Sequence, residues 1–518
     1  MKLAMIHYHL NRGGVTQVIA NQLRALDQEV ADGDRLSVGL LYGGRRAGWP
    51  DRLVGDLRRL ELSLHAIGGL DYDNVRPEGK DLADQLRVVL QEAGFGPQET
   101  VLHVHNHSLG KNVALPDALH SLARQGYGLL LQIHDFAEDF RPDNYRPLAA
   151  RWAAGRSDSL PGWLYPQAPQ IHYAVLNGRD QAILRDAGVE QQRLHVLPNP
   201  VAPIGELPPR EEARAKLADR FAIPAHHRYV LYPVRGIRRK NLGELLLWSA
   251  LAGRSTCFAL TLPPLNPVEQ PSYGRWKEFA AARELPCAFE VGGPAGLTYM
   301  ENLAAADLLL TTSVAEGFGL VYLESWLTGR PLVGRDLPAI TGDFTRAGLR
   351  LAGLQPQLWV PLDWLHEPTF RTSIAVAYRR VLASYGQPTP TLKSLVRQVD
   401  PLIHDGLVDF GSCPVALQQE VIERVAGDSR QSDRLREINP WIADALARGG
   451  GDPLLVEQNA GVVRSEYSLA RSGRRLVEIY QRVGGSDRDQ QLRSPPRGQR
   501  VLENFLDLSR FHPLRVEL

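Results

Sequence analysis

The sequence predicts an α/β protein built from two doubly wound parallel sheets that face each other across a cleft. Three observations lead there. Short β-rich apolar runs alternate with amphipathic helical patterns along most of the 518 residues, which is how parallel sheets covered by helices on both faces read. The alternation stops at a proline-bearing segment, NPVAPIGELPPREE at 199 to 212, and then begins again. A chain of this length also divides naturally into a few domains, each large enough to bury its own core.

In the first half the expected strands are KLAMIH, RLSVGLLY, TVLHVH, GLLLQIH, HYAVL and RLHVLP. Helical stretches such as GVTQVIANQLRAL and GRDQAILRDAG lie between them, the second with Asn177 as N-cap and Gly188 as its stop. The second half repeats the pattern with YVLYPV, TCFALTL, CAFEV, DLLLTTS and PLVG. From about 341 to 440 the rhythm loosens into charged, mostly helical sequence, read as an insertion. A long helical pattern, SEYSLARSGRRLVEIYQRV, precedes a polar stretch and a short final helix.

Composition excludes several classes. Lys plus Arg number 59 against 58 Asp plus Glu, so no overall field steers the chain to nucleic acid or an acidic membrane, and any basic site is local. Cys257, Cys287 and Cys413 are far apart with no CxxC pair, which supports neither a disulfide framework nor a structural zinc. The apolar core of MKLAMIHYHL is too short for a signal peptide, and no run approaches the ~20 apolar residues that span a bilayer. The expected location is the cytoplasm.

The most informative stretch is SVAEGFGLVYLESW, residues 313 to 326. It reads as the turn from a buried strand, DLLLTTS, into a helix stopped by Gly329. Glycines at such a turn let an anion approach free backbone N–H groups. Glu316 sits in the loop and Glu324 further along the helix, at about 1.5 Å of rise per residue. Carboxylates are acceptor-only partners for hydroxyls, so this spacing suits the two ends of a nucleotide-sugar. YPVRGIRRKNL follows the first strand of the second half and puts Arg235 and Lys240 on its exit loop, where a diphosphate would be neutralised, with Asn241 placed to cap the next helix. Arg238 and Arg239 are left to meet a charged acceptor.

Together these residues resemble retaining glycosyltransferases of the GT-B type, particularly the large family four. The family's Glu, seven residues, Glu motif matches Glu316 and Glu324, and its Arg, four residues, Lys pair matches Arg235 and Lys240. NRGGV after the first strand, IHD with His134, and LPNPV at the domain end also match. The resemblance covers about 1 to 335 and 455 to 484, the latter similar to the family's helix that crosses back to the first domain. It implies an N-terminal acceptor domain over 1–205, with 462–518 packing back on it, and a donor domain over 206–461 that contains the insertion.

The activity it implies is transfer of a glucosyl or mannosyl group from a UDP- or GDP-sugar to an acceptor hydroxyl, with retention and with no cofactor or metal required. Arg235 and Lys240 would hold the diphosphate, Glu324 the ribose and Glu316 the transferred sugar, with Phe318, Gly319 and Gly14 also at the donor. His134 would meet a sugar hydroxyl, while His9, Gly13, Gly14, Asn106 and His107 would meet the acceptor. A small soluble hydroxy acid or sugar is the expected acceptor, and the insertion leaves a homo-oligomer open. Two alternatives stand beside this: a disaccharide phosphorylase of the same architecture, and a non-catalytic nucleotide-sugar binding or scaffolding protein.

Other signals are weaker. In HVHNH, His103, His105 and His107 recur at period two and would suit zinc on an extended strand, yet NHSLGKN reads as the loop after it, where these side chains would line the cleft. SLGKN lacks the phosphate-loop spacing and EGFGLVY the third glycine of the dinucleotide fingerprint. The basic run GIRRKN has no interleaved aromatics, which disfavours nucleic acid.

Overall fold

The computed structural model describes residues 1–75, 81–153, 159–447 and 452–516. The chain divides into two compact units, Met1–Ala202 with Ser465–Asp507, and Pro203–Arg464 with Leu508–Leu518.

The first unit is built on seven strands: β1 (Lys2–His7), β2 (Leu36–Tyr42), β3 (Leu60–Ala66), β4 (Thr100–His105), β5 (Gly128–Ile133), β6 (Ile171–Val175) and β7 (Leu194–Val196). They run parallel in the order β3-β2-β1-β4-β5-β6-β7. Strand order reverses between β1 and β4, and the crevice beyond the carboxyl ends of strands at such a point is where open α/β sheets bind ligands. The strands β4, β5 and β6 are buried along their whole length, as expected for a sheet covered on both faces. The helix Gly178–Ala187 starts where Asn177 accepts a hydrogen bond from the Asp180 N–H and ends at left-handed Gly188 (φ 95°), as its sequence predicts. β3 was not among the expected strands. Its sequence, LELSLHA, alternates apolar and polar residues because it is an edge strand and only half-buried.

The helix Leu469–Gly484 completes this unit by packing on the helix Gly14–Glu29. Gly473 allows the close approach, since a Cβ there would stand 2.4 Å from the Ala25 carbonyl oxygen. The expected return of 462–518 to the first unit is corrected at the end of the chain. The stretch from Leu508 belongs to the second unit, because Phe511 packs on Tyr378 with ring centroids 5.3 Å apart and His512 Nδ1 lies 3.2 Å from the Gly411 carbonyl oxygen.

The second unit repeats the plan with β8 (Arg228–Arg235), β9 (Thr256–Leu262), β10 (Cys287–Phe289), β11 (Leu308–Thr311), β12 (Leu332–Arg335) and β13 (Leu354–Gln355), in the parallel order β10-β9-β8-β11-β12-β13. Its reversal point lies between β8 and β11. The 341–440 stretch is no appendage to this unit. β13 extends the main sheet, and β14 (Trp359–Pro361), β15 (Ile403–His404) and β16 (Leu407–Asp409) form a small antiparallel sheet. Arg335 at the end of β12 binds it, donating to both Asp409 carboxylate oxygens at 2.9 Å and to Glu244 Oε2 at 3.0 Å. All three side chains are almost wholly buried. The helix Val415–Gly427 packs on the helix Leu242–Leu251, and Gln418 Nε2 donates to Asn241 Oδ1 at 3.0 Å.

Candidate active site

The exit loops of β8 and β11 meet at the reversal point of the second sheet. Thr312 Oγ1 donates to the Lys240 carbonyl at 2.8 Å, and the Val314 N–H donates to the Arg239 carbonyl at 2.9 Å. These bonds join the two loops. Arg238–Lys240 forms a single 3-10 turn, closed by Asn241 in the left-handed region (φ 49°). That backbone withholds Asn241 from the capping role its sequence suggests. Its amide instead donates to Glu244 Oε2 at 2.8 Å and accepts from Gln418.

Glu316 is buried in this corner. Oε1 accepts from Lys240 Nζ and, at 2.7 Å, from Ser313 Oγ, while Oε2 accepts from Arg239 Nη1 at 2.7 Å. Burial alone would raise its pKa, but the two cations and the hydroxyl hold it down at about 2. The Lys240 ammonium is drawn below its ordinary value, because burial outweighs the attraction of Glu316. Tyr232 steadies the arrangement from below, its hydroxyl 2.7 Å from Ser313 Oγ.

Gly319 adopts φ 83°, and a Cβ there would lie 2.6 Å from the Tyr322 ring, so the turn demands glycine on both counts. Phe318 is buried edge-to-face on Phe344. Its side chain is a packing element, which leaves its backbone to the site. The helix Val321–Leu327 follows and Gly329 ends it at φ 70°. Glu324 lies half-buried on that helix, accepting from the Tyr299 hydroxyl at 3.3 Å, and burial raises its pKa. Arg235 ends β8 with Nη1 donating to the Pro263 carbonyl at 3.3 Å. The cation that joins Lys240 on Glu316 is Arg239, expected from the sequence to meet a charged acceptor, while Arg238 pairs with Glu269.

In the first unit the carboxyl ends of β1, β4 and β5 assemble a cluster of imidazoles. His105 Nδ1 lies 2.9 Å from His134 Nε2, with the rings stacked 5.2 Å apart. His103 donates from Nε2 to Gln132 Oε1 at 2.9 Å, so its Nδ1 accepts from the Tyr480 hydroxyl at 2.7 Å. Burial lowers every member, His134 to about 4 and His7 and His103 to about 3, so all are neutral hydrogen-bonding groups at neutral pH. His107 turns elsewhere and donates from Nε2 to the Leu164 carbonyl at 2.8 Å. The zinc arrangement over His103, His105 and His107 therefore does not form.

Asn106 and His107 sit differently from the expectation for acceptor ligands. Asn106 is buried at φ 59°, and its Oδ1 accepts from the His134 N–H at 2.7 Å and the Asp135 N–H at 3.1 Å. It fixes the β5 exit loop that carries His134. His107 is wholly buried. Gly13 and Gly14 are exposed at the start of the helix Gly14–Glu29, where no side chain caps the free N–H groups and no acidic residue lies in the first turn. His9 is half-buried beside Tyr72, ring centroids 4.8 Å apart.

No family model matches the chain. Over 458 residues it is 25% identical to the mannosylglucosyl-3-phosphoglycerate synthase of Petrotoga mobilis, covering 86% of this chain and 84% of that protein. Among solved structures it is similar to the sucrose-phosphate synthase of Thermosynechococcus elongatus, with TM-score 0.53, 14% identity and coverage of 93% and 99% of the two chains. It is likewise similar to HepE of Anabaena in complex with UDP and glucose, with TM-score 0.51, 13% identity and the same coverage. The chain has the GT-B fold. Both of its sheets reverse strand order beside their first strand, and the loops described above stand at those two points. Among the described residues no helix is long and apolar enough to cross a membrane.

Proposed function

We propose that the protein is a glycosyltransferase that moves a glucosyl or mannosyl group from a UDP- or GDP-sugar to a hydroxyl of a small acidic acceptor of the phosphoglycerate type, with retention at the anomeric carbon. The observation that carries this is the Glu316 corner: a buried carboxylate held by Lys240 and Arg239 beside a glycine turn at the reversal point of the sheet. Arriving diphosphate takes up Lys240, with Arg235 close by in sequence on the same exit loop, and frees Glu316 to accept from hydroxyls of the transferred sugar. Glu324, accessible on the next turn, accepts from ribose. As the glycosidic bond breaks, negative charge grows on the leaving diphosphate, and preformed cations and N–H groups stabilise it without reorganising. Retention follows if the acceptor hydroxyl attacks from the face the diphosphate leaves, which takes the proton. His134, neutral and fixed by His105 and Asn106, offers the sugar a hydrogen bond that does not vary with pH near neutrality.

The acceptor class is supported by the Petrotoga relative, whose name specifies a sugar-bearing phosphoglycerate, and the donor by the UDP held in HepE. A cytoplasmic setting fits both. The test is product analysis by mass spectrometry with UDP- and GDP-glucose and -mannose against phosphoglycerate, glycerate and their glucosides. A new glycoside from one donor, lost in Glu316→Ala, is the expected result. Turnover of a sugar phosphate without any nucleotide would overturn it in favour of a phosphorylase.

A further inference from the structure

Four loops at the carboxyl edge of the first sheet bring His9, expected from the resemblance to meet the acceptor, together with Arg45, Tyr72 and Lys111, which neither the motifs nor the comparisons assign. Tyr72, after β3, is the centre. Arg45, after β2, places its guanidinium carbon 5.5 Å from the Tyr72 ring centroid, and Lys111, after β4, places its ammonium at the same 5.5 Å. His9, after β1, packs on the ring at 4.8 Å.

The cluster is built rather than incidental. Asn112, wholly buried, donates from Nδ2 to the Gly69 carbonyl at 2.7 Å and the Asp71 carbonyl at 2.8 Å, clamping the Tyr72 loop to the Lys111 loop. The Leu10 N–H donates to the Arg45 carbonyl at 2.7 Å, and the Ala47 N–H to Asn11 Oδ1 at 3.3 Å, which ties the Arg45 loop to NRGG. Asp71, buried, takes two hydrogen bonds from the Arg45 fork and orients it over the ring.

Charges then decide what the site wants. Arg45 is matched by Asp71, and Asp73 accepts from the Val113 N–H at 3.0 Å. Lys111 is half-buried and among the described residues makes no ion pair; burial and nearby Arg141 both lower its pKa, and Asp143 raises it. His9 is neutral, its pKa lowered by burial and by Arg45 and raised by Asp71. A cation held out of water without a counter-ion favours an incoming anion. The uncapped helix at Gly13 and Gly14, with no acid in its first turn, adds N–H groups of the same preference.

Resting on the transferase function proposed above, we infer that Lys111, Arg45, Tyr72 and His9 form the subsite that captures the phosphate or carboxylate of an acidic acceptor. Lys111 supplies the uncompensated charge, Arg45 a second donor, and Tyr72 the rigid surface against which both are held.

The test titrates 3-phosphoglycerate, glycerate, inorganic phosphate and uncharged glycerol by calorimetry into the full chain and into Lys111→Ala and Lys111→Arg, both first shown by circular dichroism and melting to be folded. The parent should bind 3-phosphoglycerate, more weakly as salt rises, and show no heat with glycerol. Lys111→Ala should bind at least ten-fold more weakly, and Lys111→Arg within a few-fold of the parent. Glycerate and phosphate as separate arms tell which acid group is read. No binding by the parent, equal binding by Lys111→Ala, or binding of glycerol as tight as that of 3-phosphoglycerate would overturn the inference. UDP and GDP are titrated into the same proteins, and Lys111→Ala should bind them as the parent does. If neither binds the parent while 3-phosphoglycerate does, the donor assignment fails and the anion subsite stands.

Discussion

Replacing Glu316 with glutamine keeps the shape of the side chain and removes its charge, which isolates what the carboxylate does for the fold. Its pKa of about 2, against an ordinary 4.5, corresponds to roughly 3 kcal/mol at neutral pH, at about 1.36 kcal/mol per unit. The Glu316 side chain is only 6% exposed, so solvent screens little of this. The sign is set by the direction of the shift. A depressed carboxylate contributes its full stabilisation above 4.5 and loses it as pH falls from there through about 2. Glu316→Gln should therefore lower the stability of the second unit by about 3 kcal/mol at pH 7, a large share of the ~5–15 kcal/mol typical of a domain. The loss is sharpened because Lys240 is left buried without its counter-ion. Urea unfolding at pH 7, 5 and 3.5, followed by tryptophan fluorescence, measures it. The gap between parent and variant should be widest at pH 7 and narrow by pH 3.5. A gap below ~1 kcal/mol at pH 7, or one independent of pH, would refute the buried ion-pair account.

Three further outcomes follow from the same physics. Arg335→Met should destabilise by about 3–5 kcal/mol in urea, since it strands buried Glu244 and Asp409, and adding Glu244→Gln and Asp409→Asn to it should recover part of the loss. Gly319→Ala should cost about 1–3 kcal/mol from its left-handed backbone and its clash with Tyr322, and should weaken nucleotide affinity in calorimetry while the first unit melts as before. Glu138, buried with its carboxylate accepting from the Tyr165 hydroxyl at 3.0 Å, is pushed up to about 7 by burial, so its folded form favours the proton. That contribution is present below 4.5 and disappears as pH rises through about 7, so Glu138→Gln should gain stability relative to the parent at pH 8 and not at pH 4.5, as melting at the two pH values will show.

Much of the architecture was legible because apolar runs report buried parallel strands directly. The strands missed were those where that signal fails: β3, whose edge position gives it an alternating polar face, and β13 to β16, each two or three residues long. At the Glu316 corner the structure brings Glu316 and Lys240 together, and the second cation on Glu316 is Arg239, which spacing did not single out. Within GIRRKN, spacing cannot tell which arginine faces the sheet edge, because a 3-10 turn rotates each residue by about a third of a circle and sends Arg239, rather than Arg238, to Glu316. Similarly, period two placed His103 and His105 on one face, but the strand ends at His105 and the left-handed residue Asn106 redirects His107 into the core. Of the Tyr72 cluster only His9 was singled out in the sequence. Its four members come from four loops, and only the parallel order of β1 to β4 brings them together.

The account turns on the second unit gripping a nucleoside diphosphate through Lys240. Calorimetric titration of UDP, GDP and ADP into the parent and into Lys240→Ala tests this most directly. One of UDP and GDP should bind the parent, raising its stability by about 2.7 kcal/mol at a hundred times the dissociation constant, and should lose at least ten-fold in affinity, about 1.4 kcal/mol, in the variant. If no nucleotide binds the parent, or if Lys240→Ala binds as tightly, the Glu316 corner is not a donor site.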